Sequence, residues 1–212
     1  MLHNCLLIIL STFLFQVRAQ QPGSLVSEIH PSLTWQKCVS RGSCTVQMGK
    51  IVLDANWRWY HTQFGRTENC FSGNEWAIAQ YCPNLPSCKY TYVVEGVDDY
   101  SGNYGVTTSG NSLTLRFVTP QAYSPNPNIG SRVYFMKDDN TYEKFNPLAQ
   151  EFTFDVDMSN LPCGIAADAH FSDMEADGGM AQSAGWNSAG AKYGTGYCDA
   201  RCPRDLKWVN GV

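Results

Sequence analysis

The run Glu151-Phe-Thr-Phe-Asp-Val-Asp-Met158 alternates oxygen-bearing and apolar side chains. Successive side chains of an extended strand take opposite faces. Glu151, Thr153, Asp155 and Asp157 would then share one face, while Phe152, Phe154, Val156 and Met158 turn toward a core. Two carboxyl groups on one face can act as acid/base and nucleophile at a glycosidic bond when they stand about 5–5.5 Å apart. Along a strand, side chains two apart lie about 6.5 Å from each other and those four apart about 13 Å. Asp155/Asp157 and Asp173/Glu175 pass that screen, as many solvated acidic strands would. Spacing leaves both readings open. His170 lies close enough in sequence to Asp173 and Glu175 for a metal cluster, against the plainer reading of a polar patch. A G-x-S-x-G nucleophile elbow is absent from the sequence, which removes the usual signature of serine hydrolysis.

A second group of residues points to binding. If a strand beginning at Lys50 continues to Tyr60, Trp57 and Trp59 share one face, with Asn56 and Arg58 on the other. Paired tryptophans can fill a core. They can also stack on the apolar C–H face of a pyranose while neighbouring Asn, Arg and Asp bond its hydroxyls.

The elements that must position these residues are short strands between turn signals. Thr107 to Thr119 alternates around Ser109-Gly-Asn111, which predicts a hairpin with Leu113, Leu115 and Phe117 on one face. After the proline-rich stretch Pro120 to Pro127, Arg132-Val-Tyr-Phe-Met136 reads as a strand closed by Asp138-Asp-Asn140. Residues 62–86 are rich in Gly, Asn, Pro and Cys and read as irregular structure pinned by a disulfide. Gly194-Thr-Gly196 is followed by neither a Walker lysine nor a dinucleotide-binding glycine pattern. It marks a place where backbone approaches another strand or a ligand. The whole pattern is sandwich-like, in one domain.

Composition narrows the class. Residues 1–19 read as an export signal, with an apolar stretch from Leu6 to Phe15 and Val17-Arg-Ala19 before the cut. That stretch is too short to span a bilayer, and no later one is long and apolar enough. A secreted product, with no membrane association, is expected. The formal net charge is −4 and becomes more negative when Arg18 leaves with the signal, which argues against nucleic acid. Of nine cysteines, Cys5 lies in the signal; the rest, in an exported chain, point to a disulfide framework. Cys38/Cys44 and Cys82/Cys88 have spacings that could close short loops. Zinc is disfavoured, because C-x-x-C spacing is absent and no histidine lies close to these pairs.

Five segments carry a resemblance. They are Leu33-Thr-Trp-Gln-Lys-Cys38, Val52-Leu-Asp-Ala-Asn-Trp-Arg-Trp59, Tyr104-Gly-Val-Thr-Thr-Ser-Gly-Asn-Ser-Leu113, Glu151-Phe-Thr-Phe-Asp-Val-Asp157 and Ala189-Gly-Ala-Lys-Tyr-Gly-Thr-Gly-Tyr-Cys-Asp199. In this order, from about Gln20 to Gly211, the chain resembles glycoside hydrolase family 7, whose cellobiohydrolases and endoglucanases cut β-1,4-glucan with retention. The resemblance implies an all-β, jelly-roll β-sandwich of concanavalin-like type, incomplete in this chain, with residues 20–212 forming the N-terminal part of the catalytic domain. It implies cellulose or another β-1,4-glucan as partner, a monomer, and no metal or organic cofactor. Carried over by position, Asn56, Trp57 and Trp59 would line non-reducing-side subsites, and Arg132 would reach the glucan. Tyr197, Asp199, Asp205 and Lys207 would line the path toward the reaction centre.

The family's catalytic motif, Glu-x-Asp-x-x-Glu after a Cys-Cys pair, does not occur between Met1 and Val212. Glu151, Asp155 and Asp157 match positions upstream of it, so no residue here takes the catalytic role and the chain is expected to be inactive alone. By resemblance Cys38/Cys44 and Cys82/Cys88 are disulfides, whereas Cys163, Cys198 and Cys202 would pair with cysteines further downstream. By the same resemblance, Tyr92 stands where the family has the cysteine that would pair with Cys70, and Gly23 and Val93 stand at the ends of another family bridge. Ala166 and His170 replace an asparagine and a tyrosine associated with substrate contact, Asp168 replaces a small residue, and Arg201 stands where glutamine is common. Two readings follow: the N-terminal portion of a secreted cellulase, or a truncated, non-catalytic β-glucan-binding protein.

Overall fold

The computed structural model describes residues 20–63, 68–72, 75–76, 91–122 and 124–197, with backbone alone for 71–72 and 75–76. The expected signal segment, Cys82/Cys88, Cys198, Cys202, Arg201 and the candidate residues Asp199, Asp205 and Lys207 lie outside the described residues. In chain order the strands are β1 (Gln21–Pro22), β2 (Ser32–Ser40), β3 (Ser43–Leu53), β4 (Tyr60–Thr62), β5 (Phe71–Ser72), β6 (Glu75–Trp76), β7 (Tyr92–Val94), β8 (Val106–Ser109), β9 (Ser112–Leu115), β10 (Val118–Thr119), β11 (Asn128–Ile129) and β12 (Val133–Met136). Among the described residues a short helix, α1 (Tyr100–Tyr104), precedes β8. None of the helices among the described residues is long and apolar enough to cross a membrane.

The architecture is all-β, multi-sheet and sandwich-like. One three-stranded sheet among the described residues has the order β12-β3-β2, antiparallel throughout, with Phe135 opposite Ile51 and Leu33 opposite Gly49. Cys38 and Cys44 face each other across the β2–β3 hairpin and are joined by a disulfide. A second sheet has the order β1-β7-β4, with β1 parallel and β4 antiparallel to β7. Three two-stranded pairs, β5–β6, β8–β9 and β10–β11, complete the set among the described residues.

The C-terminal half of β3 is covered on both faces, as period two demands. Ile51 and Leu53 pack with Val97, Tyr100 and Val106, whereas Val52 packs with Met136, Tyr142 and Ala191. Each such side chain contributes about 1.5–3 kcal/mol on burial. A third cluster joins Tyr60, Cys70, Tyr92, Val94, Ala189 and Tyr193 beneath the second sheet. Gly49 leaves room for a neighbour: a Cβ on it would stand 2.5 Å from the Phe135 ring, which lies across β3.

The hairpin expected around Ser109-Gly-Asn111 is present as β8–β9, with Ser109 opposite Ser112. The strand expected at Arg132 to Met136 is β12, and Asp138 closes the following turn by accepting N–H bonds from Asn140 and Thr141, both at 2.9 Å.

Two expectations need correction. The strand from Lys50 does not run to Tyr60; β3 ends at Leu53, and Ala55–Trp57 forms a 3-10 turn before β4. Glu151 to Met158 is not a strand at all. Its backbone makes no ladder among the described residues, and Phe152, Phe154, Val156 and Met158 are 52–63 % exposed rather than in a core. Alternation supplies a face, but a strand also needs a partner for its main-chain N–H and C=O groups. Phe152 instead meets Phe145, Phe154 and Phe171 edge-on, at centroid distances of 5.4, 5.7 and 5.0 Å.

Candidate functional site

The site begins where β3 turns. Asp54 caps the 3-10 turn by accepting the Asn56 N–H at 2.6 Å, and its own N–H is donated to the Arg132 carbonyl at 2.9 Å. The turn is pressed from behind by Gly194, whose carbonyl accepts the Ala55 N–H at 3.0 Å. Gly194 has φ +70°, and a Cβ there would lie 2.1 Å from the Leu53 oxygen. Gly196 is equally constrained, 2.7 Å from the Gly178 oxygen by the same measure. The Gly194-Thr-Gly196 segment is thus a close backbone approach, to neighbouring main chain.

Arg132 enters this corner from the start of β12. Its Nε donates to Asp54 Oδ2 at 3.0 Å and to the Tyr134 hydroxyl at 3.1 Å. Tyr134 in turn donates a short hydrogen bond to the same Asp54 oxygen. Burial and the adjacent Asp54 charge push the Tyr134 phenol far above its ordinary range, so it remains a donor. Burial works against the Arg132 charge, but Asp54 and Tyr134 outweigh it and hold the guanidinium protonated. The guanidinium lies 4.2 Å from the Tyr197 ring centroid and 5.2 Å from that of Trp57. A planar cation held between two aromatic faces and fixed at its Nε is a rigid donor group.

Trp57, Arg132 and Tyr197 are therefore brought together. Trp57 is half-buried and its indole N–H reaches the Ile129 carbonyl at 3.3 Å. Tyr197 also stands 5.8 Å from Tyr134 and 6.3 Å from His170. Asn56 is half-buried beside Trp57. Trp59 has different contacts: its indole N–H goes to Asn69 Oδ1 at 2.6 Å and its ring lies over His61 at 4.2 Å.

Arg58, between the tryptophans, is not a surface group. It is 2 % exposed and forms a two-pronged ion pair with Glu28 at 2.6 and 2.8 Å. It donates further to the Leu53 and Glu95 carbonyls, and Tyr100 donates to Glu28 at 2.5 Å. This buried cluster anchors the turn that presents Trp57 and Trp59. Asp54, Tyr134 and Glu28 were not legible as site-building residues, because each acts through a partner distant in sequence.

The acids singled out for hydrolysis lie elsewhere. Asp155 and Asp157 are exposed, and Asp157 accepts the Ser159 N–H at 3.0 Å. Glu175 accepts from Gln182 at 2.5 Å, while Asp177 closes a turn through the Gly179 and Ala181 N–H groups. Among the described residues no three His, Cys, Asp or Glu side chains are grouped to hold a metal. Cys163 is an exposed free thiol.

The class defined by the fold is an all-β, multi-sheet, sandwich-like protein, with an arginine set over two aromatic rings where β3 turns. The chain belongs to glycosyl hydrolase family 7, whose family model matches residues 22–212. Among solved structures it is similar to a family 7 cellobiohydrolase from Daphnia pulex, with 41 % identity and a TM-score of 0.83 over 90 % of this chain and 42 % of that one. It is similar to a cellobiohydrolase from Melanocarpus albomyces complexed with cellotetraose, with 44 % identity and a TM-score of 0.80 over 90 % and 43 %. A doubly substituted endocellulase from Humicola insolens matches at 40 % identity and a TM-score of 0.72 over 90 % and 46 %. The chain spans less than half the length of these structures.

Proposed function

We propose that residues 20–212 are the N-terminal, glucan-binding part of a secreted family 7 catalytic domain, a jelly-roll whose complete form hydrolyses β-1,4-glucan with retention. The observation that carries this reading is the Trp57–Arg132–Tyr197 stack, held on Asp54 in a chain of this family. Its aromatic faces suit glucose rings and its guanidinium suits their hydroxyls. Trp59, Asn56, Asp199, Asp205 and Lys207 complete the proposed contacts. The reading is of cellobiohydrolase type, supported by the higher TM-scores to cellobiohydrolases, 0.80–0.83, than to the Humicola endocellulase, 0.72. The proposed product acts as a monomer without cofactor, and binds neither nucleic acid nor membrane.

The sequence contains Glu175-Ala-Asp177 but no Glu-x-Asp-x-x-Glu, so the proposal assigns this chain binding without bond cleavage. Titration with cellotetraose is expected to show saturable binding that the Trp57→Ala/Trp59→Ala double variant loses. No binding by the folded chain would sink the reading. Reproducible release of cellobiose by the purified chain, absent from the double variant, would sink the claim of inactivity. A second reading is a truncated, non-catalytic β-glucan binder that keeps Trp57 and Trp59. Sequencing the transcript beyond the Val212 codon separates them: a continuing frame with Cys-Cys and Glu-x-Asp-x-x-Glu supports the first, a stop codon the second.

A further inference from the structure

Trp59 immediately precedes β4, and His61 lies within it. Their rings lie 4.2 Å apart with a 34° tilt, and the indole edge is fixed by its bond to Asn69. Behind the imidazole, Nε2 stands 2.8 Å from Glu95 Oε2, and Nδ1 stands 3.0 Å from the Thr62 carbonyl. His61 is 4 % exposed and Glu95 is 0 % exposed. The orientation of the Glu95 carboxylate is itself overdetermined. It accepts main-chain N–H bonds from Leu25 at 3.2 Å, Val26 at 3.1 Å and Gly96 at 3.1 Å. Gly23 leaves it room, since a Cβ there would lie 2.2 Å from Glu95 Oε2. The main chain closes the loop: the Glu95 N–H donates to the Trp59 carbonyl at 2.9 Å.

A carboxylate fixed by several donors orients an imidazole, and an oriented imidazole restricts any ring stacked on it. A platform that is already restricted loses less entropy when a ligand stacks on its other face. We propose that Glu95 and His61 are positioning residues that set the plane of the Trp59 indole for a glucose ring. This rests on the reading of Trp59 as a sugar platform. The N-terminal segment thereby becomes part of the site without touching substrate, through Leu25 and Val26.

The test uses the full chain, with the Trp59 indole N–H resonance assigned by its loss in Trp59→Phe, and cellotetraose binding measured in parallel. Glu95→Ala and His61→Ala are expected to shift that resonance and to weaken binding about ten-fold, the equivalent of one good aromatic contact. Glu95→Gln, which can still bond the imidazole, is expected to restore most of both. An unshifted indole resonance in folded Glu95→Ala overturns the proposal. If Glu95→Ala does not fold, His61→Phe decides, because it keeps a ring beneath Trp59 but cuts the link to Glu95: an unshifted resonance again overturns it. Should Trp59→Ala bind cellotetraose as tightly as the parent, the sugar-platform reading fails instead, while the resonance still judges whether Glu95 and His61 position the indole.

Discussion

The Arg132 guanidinium lies 4.2 Å from the Tyr197 ring centroid, with its Nε held 3.0 Å from Asp54. The strand β12, the turn after β3 and the C-terminal glycine-rich segment are tied together by that one side chain. Arg132→Lys keeps the charge and loses the planar fork and the stack. The expected outcome is cellotetraose affinity lower by about ten-fold, roughly one cation–π contact with its directed hydrogen bond. Calorimetric titration of parent and variant checks it, and unchanged affinity would remove Arg132 from the site.

Gly194 should tolerate no side chain. Its φ of +70° and the 2.1 Å approach of a Cβ to the Leu53 oxygen both penalise alanine. The left-handed conformation alone costs about 1–2 kcal/mol for a residue other than glycine. Gly194→Ala is expected to destabilise the chain by at least that amount in urea unfolding and to disturb the Trp57 turn, read as loss of near-ultraviolet tryptophan dichroism.

Removing Glu28 would leave the Arg58 cation buried without its counter-ion. Breaking one partner of such a pair costs about 3–5 kcal/mol. Glu28→Ala is expected to show that loss in equilibrium unfolding, and replacing Arg58 and Glu28 together by Met and Leu is expected to recover much of it. Equal stability of single and double variants would contradict the buried-pair account.

Glu95 gives a pH dependence of defined sign. Burial alone would raise its pKa, but the His61 contact and the N–H groups of Gly96, Val26 and Leu25 outweigh it and hold the carboxyl below its ordinary value. A carboxyl with a depressed folded-state pKa contributes stability above its unfolded value, and that contribution disappears as pH falls through the folded value. Amide exchange at Leu25 and Val26 is therefore expected to accelerate on acidification below the ordinary carboxylate range, beyond the intrinsic pH trend. Glu95→Gln is expected to flatten the excess. Exchange that follows the intrinsic trend in both proteins would contradict this assignment.

Local pattern was informative where the interaction it implies is also local. The Ser109-Gly-Asn111 hairpin and the Asp138 turn close within a few residues, and both form as expected. Cys38 and Cys44 likewise sit opposite each other on one hairpin. Period two correctly describes Ile51, Val52 and Leu53, because β12 supplies β3 with a partner at that level. It misleads at Trp57 and at Glu151 to Met158. At Trp57, the Asp54 cap turns the chain; at Glu151 to Met158, the alternating chain has no ladder partner among the described residues.

The amino-acid sequence by itself determined the β-rich class, the family resemblance, and the identities of the aromatic and arginine residues. Tertiary structure alone decided that Arg58 is an internal anchor on Glu28, that Arg132 is clamped between Trp57 and Tyr197, and that Glu95 stands behind His61 and Trp59. The reason is physical. Side-chain periodicity records which face a residue takes on its own strand, whereas the charge, ring or carbonyl that it meets comes from chain remote in sequence and is fixed only when the sheets and turns pack.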